Sequence, residues 1–258
     1  MAKIGIYMPA FNVERYISDS INSIIAQDFK DWKFIVLDDG STDNTYNIAS
    51  KIQDDRCAVF KNDSHCGLIG KLKNEALGLL PDTEYVCHIG SDDKVTPDCF
   101  RSHLAFLDNN PDLAAACGTF SCFNDEGKEW IFPHVARQGF DRNILLKYMN
   151  FFHFRMYRKE AIMEIGGYSN TLSSAVDYDL ALRLDEKFKL GRLNKTTYYY
   201  RQHSSQVSTA SRIKQDMNAK KALQDSLDRR GLGLEIINNS PPFQTRPRLQ
   251  DHFIWGKK

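Results

Sequence analysis

Asp92 and Asp93 stand side by side at the end of a short apolar run, Tyr85-Val86-Cys87-His88-Ile89-Gly90-Ser91. A run of this length bounded by turn residues reads as a buried strand, with Gly90-Ser91 marking its end. Two ionised carboxylates there repel each other and lose hydration, so they need a partner. A divalent cation is suitable, because hard oxygen ligands favour Mg²⁺ or Mn²⁺ and the ion offsets the repulsion between the carboxylates. An Asp-Asp turn that merely caps the next helix would account for one such dipeptide. Related clusters recur, however, at Pro9-Ala10-Phe11-Asn12 and Asp38-Asp39-Gly40-Ser41-Thr42-Asp43, each after an apolar run. Asp177 lies just before or at the start of a helix marked by Leu180, Leu184 and Phe188, where the dipole and free N–H groups hold it ionised, although it can also be a plain N-cap. His203 closes a further run, Tyr198-Tyr199-Tyr200-Arg201-Gln202.

The intervening chain supplies elements to position these groups. Residues 3–8 and 34–37 are buried-strand patterns, and 58–60 and 84–89 continue the series. Between them, Ile17, Ile21, Ile24 and Ile25, then Tyr46, Ala49 and Ile52, then Leu72, Ala76, Leu77 and Leu80 recur at helical spacing. Thr96-Pro97 places proline in the first turn of another helix through Leu104 and Leu107. Strands alternating with helices imply right-handed crossovers and a parallel sheet, whose ligands sit outside the carboxyl ends of the strands. The polar clusters fall at those ends.

The second half reads differently. Residues 113–123 and 130–132 flank Asn124-Asp125-Glu126-Gly127, a hairpin signal. Ile144, Leu145 and Tyr148 suggest a short helix, 152–157 an aromatic strand, and 159–165 a helix closed by Gly166-Gly167. A helix over 213–227 ends at Arg229-Arg230-Gly231. Beyond it, Ser240-Pro241-Pro242 and then Arg246, Arg248, His252, Phe253, Trp255, Lys257 and Lys258 form a polar tail with basic and aromatic residues. It reads as loosely packed, with peripheral membrane contact as the alternative.

The totals narrow the class. A chain of 258 residues with 42% hydrophobic composition can bury a sizeable core as one large α/β domain or two small ones. Lys+Arg 34 against Asp+Glu 33 leaves a net charge of +1, and so no global field to attract nucleic acid. The six cysteines form no C-x₂-C pair and read as small buried hydrophobes in a reducing compartment. No segment has the roughly 18 apolar residues of a membrane span, and the start lacks a signal-peptide pattern. A cytoplasmic location is expected.

Taken together, Tyr7-Met8-Pro9-Ala10-Phe11-Asn12, Leu37-Asp38-Asp39-Gly40-Ser41-Thr42-Asp43, Gly90-Ser91-Asp92-Asp93, Gly166-Gly167-Tyr168 and Val176-Asp177-Tyr178-Asp179-Leu180 resemble family 2 glycosyltransferases over roughly residues 3–210. Phe154-Arg155-Met156 and 175–179 are similar to the glucuronic-acid-transferring module of bacterial hyaluronan and chondroitin synthases. The resemblance implies an α/β GT-A (nucleotide-diphospho-sugar transferase) fold, a mostly parallel central sheet with helices on both faces. It makes 1–210 one domain, 1–93 its nucleotide-binding half and 94–210 its acceptor half, with 211–258 the C-terminal helix and tail. By the same resemblance, Pro9, Ala10, Phe11 and Asp39 hold the base with Asp38 beside it, and Lys73, next to Asn74, stands close to the nucleotide. Asp92 faces the ribose, Asp93 and His203 hold Mn²⁺ or Mg²⁺, and Asp177 is the catalytic base. The implied partners are a nucleotide-sugar donor, with UDP-sugars foremost, and a glycan or other hydroxyl acceptor. The sequence departs from the family pattern at Gly90, where an aspartate is usual, and at Val176, where a glutamate is usual.

The chemistry agrees with these assignments. Displacing a nucleoside diphosphate from a sugar requires charge stabilisation on the departing oxygens, which a divalent ion supplies, and a positioned carboxylate to take the acceptor's proton. Attack opposite the leaving group inverts the anomeric centre. A nucleotidyltransferase would need a Gly-rich basic loop after the first strand, where Pro9-Ala10-Phe11-Asn12 stands instead. The G-x₄-G-K-[ST] spacing of P-loop NTPases is missing, since Leu72 follows Gly70-Lys71. A silent sugar-nucleotide-binding subunit is the third alternative, and retention of both Asp93 and Asp177 argues against it.

Overall fold

The computed structural model describes residues 2–131, 140–203, 206, 212–237 and 254–257. Its main body is a nine-stranded sheet ordered β3-β2-β1-β4-β8-β6-β9-β5, with β7 paired to β6. The first half follows the alternation in the sequence. Strands β1 (Ala2–Ala10), β2 (Trp32–Asp38), β3 (Cys57–Lys61) and β4 (Thr83–His88) are parallel, joined by α1 (Ile17–Ile25), α2 (Thr45–Ala49) and α3 (Ile69–Leu79).

Beyond β4 the sheet is mixed, so its parallel character is confined more narrowly than the pattern implied. Strand β8 (Arg155–Arg158) lies antiparallel between β4 and β6 (Leu113–Phe123). Strand β9 (Lys189–Arg201) runs parallel to β6, and β5 (Lys94–Val95) pairs antiparallel with β9. The two-residue β5 is too short to show a period. Its pairing keeps the chain extended past Thr96, whose N–H donates to the Thr197 carbonyl at 3.0 Å. Helix α4 (Cys99–Asp108) therefore starts after Pro97 rather than around it. The 124–127 turn joins β6 to β7 (Glu129–Trp130) as its composition suggested, with Gly127 at φ +79°. Phe132, expected in that second strand, lies outside the described residues.

Alternate strand residues face two cores, as a half-and-half pleat requires. Ile4, Ile6, Met8, Phe34, Val36, Tyr85 and Cys87 face α1, α2 and α4. Tyr7, Ile35, Leu37 and Val86 face the opposite layer, built from α3, α6 (Lys159–Glu164), α7 (Val176–Lys187) and α8 (Arg212–Arg229); the short α5 is Arg142–Leu145. Four of the six cysteines are buried and all six are free. Past α8 the chain does not read as wholly loose: β10 (Leu234–Ile237) and β11 (Ile254–Lys257) pair antiparallel. Ile236 packs partly against the second layer's core. Residues 238–253 and 258, with most of the basic tail, lie outside the described residues. Among the described residues no helix is long and apolar enough to cross a membrane.

One approach controls where α3 sits. A Cβ built on Gly70 would overlap the Ser169 carbonyl oxygen, so only glycine allows α3 to rest on the loop after α6. Asn74, one turn on, receives the Tyr168 N–H at 2.8 Å and donates to the Tyr168 carbonyl at 2.9 Å. Gly166 and Gly167 form that loop at φ +77° and +69°. Helix propensity alone would favour alanine over Gly70 by up to about 1 kcal/mol. The backbone overlap outweighs this, and we expect Gly70→Ala to lower unfolding free energy by about 1–3 kcal/mol, read from urea midpoints at unchanged m-value.

Candidate active site

The clusters read from the sequence meet along one edge of the sheet, at the carboxyl ends of β1, β2, β4 and β9. The ends of β1 and β2 are tied together first. Ala10 pairs with Asp38, and the Asp39 N–H donates to the Ala10 carbonyl at 2.8 Å. Asn12, at φ +50°, receives the Thr42 N–H at 2.9 Å and donates its own N–H to Ser41 Oγ at 3.0 Å. Asp38 is buried and accepts the Ser41 N–H at 3.1 Å, which holds the turn after β2. Asp39 is also buried. Its oxygens accept the Cys66 N–H at 3.1 Å, and His65 Nδ1 lies 2.6 Å from Oδ2. The His65 ring stacks on Phe11, with centroids 3.9 Å apart and planes 18° from parallel. Pro9 and Ala10 line the buried strand end behind Phe11.

At the end of β4 the two adjacent aspartates diverge. Asp93 is buried: Tyr198 Oη donates to Oδ2 at 2.7 Å and the Arg201 N–H to Oδ1 at 2.8 Å. Burial and the neighbouring Asp92 charge push its carboxyl well above the usual carboxylate range, against those two donors. Asp92 instead turns to His203, with Oδ2 3.0 Å from Nε2. The pair expected to share a metal was Asp93 with His203. In the fold, Asp92 shares the histidine, and Asp93 is committed to Tyr198 and the β9 backbone. Gly90 leaves no room for the family's usual aspartate as these groups are packed, since a Cβ there would come within 2.5 Å of Asp93 Oδ2. Arg201 fixes the corner: Nε donates to the Asp92 carbonyl at 2.9 Å, and its other nitrogens reach Asp19 at 2.9 Å and Asp125 at 3.2 Å.

Asp177 is the second residue of α7. Lys73 Nζ lies 2.7 Å from Oδ1 and Arg155 Nη1 3.3 Å from Oδ2. Both cations are buried, whereas the carboxylate keeps 26% of its side-chain surface exposed. Burial opposes ionisation, but Lys73 and then Arg155 outweigh it and hold Asp177 well below the usual carboxylate range. Burial lowers Lys73, with Asp177 opposing, and it drives His88 and His153 well below the ordinary imidazole value, so both rings are neutral. Tyr168 lies under the Lys73 ammonium, 4.9 Å from ring centroid to Nζ, and its Oη is 2.7 Å from that of Tyr7. Lys73, expected close to the nucleotide, thus makes its ion pair with Asp177. Asp179 points elsewhere, to Arg183 at 2.7 Å, as an i,i+4 spacing allows. Arg183 also donates to the Ile165 and Gly167 carbonyls at 2.8 and 2.7 Å, locking the two-glycine turn.

Arg155, Tyr198, Arg201 and His65 had no assigned role in the sequence reading. Arg155 reaches the site because β8 is antiparallel: Cys87 pairs with Met156, which sets Arg155 beside the end of β4. The one available signal was its place in Phe154-Arg155-Met156. Nothing in sequence spacing marks His65.

A glycosyl transferase family 2 model matches residues 5–166. The chain is 29% identical over 229 residues to a hyaluronan synthase of Pasteurella multocida, covering 89% of this chain and 23% of that protein. It is 30% identical over 240 residues to a chondroitin synthase of Escherichia coli, covering 92% of this chain and 34% of that protein. It therefore spans about a quarter to a third of the length of these curated relatives. Among solved structures, S. aureus TarS with UDP-GlcNAc superposes with TM-score 0.69 at 19% identity, over 88% of this chain and 73% of that one. A mannosyltransferase of Pyrobaculum calidifontis, solved with GDP-Man and Mn²⁺, gives 0.67 at 16% identity over 96% and 68%. The fold is that of the GT-A glycosyltransferases. The chain belongs to glycosyl transferase family 2, and it is a glycosyltransferase.

The pairing of Asp177 has a consequence for stability. Its folded carboxyl titrates below its unfolded value, so its contribution is present above the unfolded pKa and lost as pH falls through the folded one. We expect the stability gap between wild type and Asp177→Asn to be largest near neutrality and to narrow below about pH 4, in urea titrations at stepped pH.

Proposed function

We propose that the protein is an inverting, divalent-metal-dependent transferase that moves a sugar from a UDP-sugar to a hydroxyl acceptor, with Asp177 as the base. One arrangement carries this reading: a partly exposed carboxylate held ionised by two buried cations, on the same sheet edge as the Asp92–His203 pair. Membership of family 2 supports it over a nucleotidyltransferase.

The donor set suits a small hard cation. Asp92 and His203 would supply the protein's ligands, leaving positions for diphosphate oxygens and water, as Mg²⁺ and Mn²⁺ sites on nucleotides commonly do. When bound, the ion neutralises charge on the departing diphosphate. We assign Asp93 to holding Asp92 and His203 in register through Tyr198 and the Arg201 backbone, rather than to the metal. Phe11 offers a face for the base and Asp39 an acceptor for a ring N–H, with Pro9, Ala10 and Asp38 shaping the strand ends.

Each Asp177 oxygen already accepts from a cation, and a carboxylate has about four lone-pair sites, so room remains for the acceptor hydroxyl. Lys73 and Arg155 fix the orientation of the carboxylate and keep it unprotonated. UDP-glucuronic acid and UDP-N-acetylhexosamines are the proposed donors, supported by the synthase relatives and by TarS solved with UDP-GlcNAc. A screen of nucleotide sugars with Mn²⁺, read as released nucleotide, tests this; a preference for GDP- or CMP-sugars would defeat the donor choice.

Two substitutions separate the roles. Asp177→Asn keeps the shape but cannot take a proton at neutral pH, and we expect turnover to fall by at least ~10² with UDP affinity nearly unchanged. Asp92→Ala should abolish the gain in UDP affinity that Mn²⁺ confers in calorimetric titration, with His203→Ala milder. If UDP binds wild type equally well in EDTA, the metal assignment fails.

A further inference from the structure

The proposed nucleobase position is already filled by a side chain. The His65 imidazole lies on Phe11 at 3.9 Å between centroids, 18° from parallel, and its Nδ1 is 2.6 Å from Asp39 Oδ2. At this separation Nδ1 is placed as the donor and the carboxylate oxygen as the acceptor. A planar ring stacked on Phe11 with an in-plane N–H on Asp39 makes the two contacts that a base with a ring N–H would make there. Stacked rings at this separation leave no space for a third ring between them.

We propose that His65 is a built-in competitor for the nucleobase, occupying its place in the free protein and displaced when the donor binds. The inference rests on the assignment of Phe11 and Asp39 to the base. The local construction suits displacement of the ring without unfolding of the loop. The Cys66 N–H is bonded to both Asp39 oxygens at 3.1 Å, and the Asn62 N–H donates to the Asp38 carbonyl at 2.8 Å, so the backbone on either side of His65 is held independently of the imidazole. Gly40 admits that backbone, since a Cβ there would lie 2.7 Å from the Ser64 carbonyl carbon. The His65 side chain is 48% exposed, so rotation about its own bonds can carry it to solvent.

The competition has a quantitative form. If only the fraction of molecules with His65 swung out accepts a base, the apparent Kd equals the intrinsic Kd divided by that fraction. Removing the ring then tightens every ligand that brings a base, and leaves untouched a ligand that binds only at the metal corner. His65 in this way sets the donor concentration at which the site fills, without touching the reacting atoms.

Calorimetry at saturating Mn²⁺ tests this with UDP and inorganic pyrophosphate as the two probes, on wild type, His65→Ala and His65→Asn, each checked for an unchanged thermal midpoint. The expected result is UDP tighter by about 5-fold or more in both variants, with pyrophosphate unchanged. UDP affinity unchanged or weakened in the variants would overturn the proposal, and so would UDP and pyrophosphate shifting together. Phe11→Ala on the His65→Ala background tests the underlying assignment separately: it should weaken UDP by about 10-fold through lost stacking and spare pyrophosphate. If it spares UDP as well, the base lies elsewhere, and the assignment fails together with the inference built on it.

Discussion

A carboxylate that must stay ionised inside the protein governs how this fold is assembled. Lys73 and Arg155, which hold Asp177 ionised against burial, come from α3 and β8, while Asp177 itself lies in the first turn of α7. Three elements distant in sequence therefore have to converge to within hydrogen-bonding distance. Breaking such a buried pair leaves an unpaired charge, which costs far more than the pair contributes. Much of the surrounding architecture serves that convergence. Gly70 lets α3 approach, Asn74 binds the loop after α6, and Arg183 ties the same loop to α7 through Asp179 and two carbonyls.

The other corner is built on a different balance. At Asp93 a phenol and a backbone N–H satisfy the oxygens, and burial beside Asp92 raises its affinity for a proton against those donors and the Arg201 charge. Arg201 joins this strand end to α1 through Asp19 and to the β6–β7 turn through Asp125. Asp92 and His203 are left as the pair directed at one another. The two corners are built differently: Asp177 is kept charged by fixed cations, whereas the oxygens of Asp93 are met by a phenol and a backbone N–H.

Between the corners lie the neutral imidazoles of His88 and His153 and the phenols of Tyr7 and Tyr168. His153 stacks on Tyr198 at 5.0 Å and on Tyr200 at 5.5 Å, so the ring layer reaches from β9 toward Arg155. Tyr7 and Tyr168 are buried and satisfy one another's hydroxyls, and such a buried pair specifies one geometry more sharply than an apolar filling would. The Phe11–His65 end of this edge is open: Phe11 is 37% exposed and His65 about half exposed.

The parallel half of the sheet was legible in the chain because its determinants are local. Apolar runs of strand length, helical spacing of Ile17, Ile21, Ile24 and Ile25, and turn residues after each strand need no distant partner to be read. The same holds for the carboxyl-end placement of Pro9–Asn12, Asp38–Asp39 and Asp92–Asp93. What tertiary structure alone decided depends on contacts between segments remote in sequence. Whether β8 joins its neighbours parallel or antiparallel follows from its edge partners, and that choice brings Arg155 to Asp177. Which of Asp92 and Asp93 turns to His203 follows from Tyr198 and Arg201, more than 100 residues away. The seat of His65 on Phe11 follows from a glycine in another loop. Residue type announces that a group can do chemistry; its charge state and its partner are settled by which other elements fold against it.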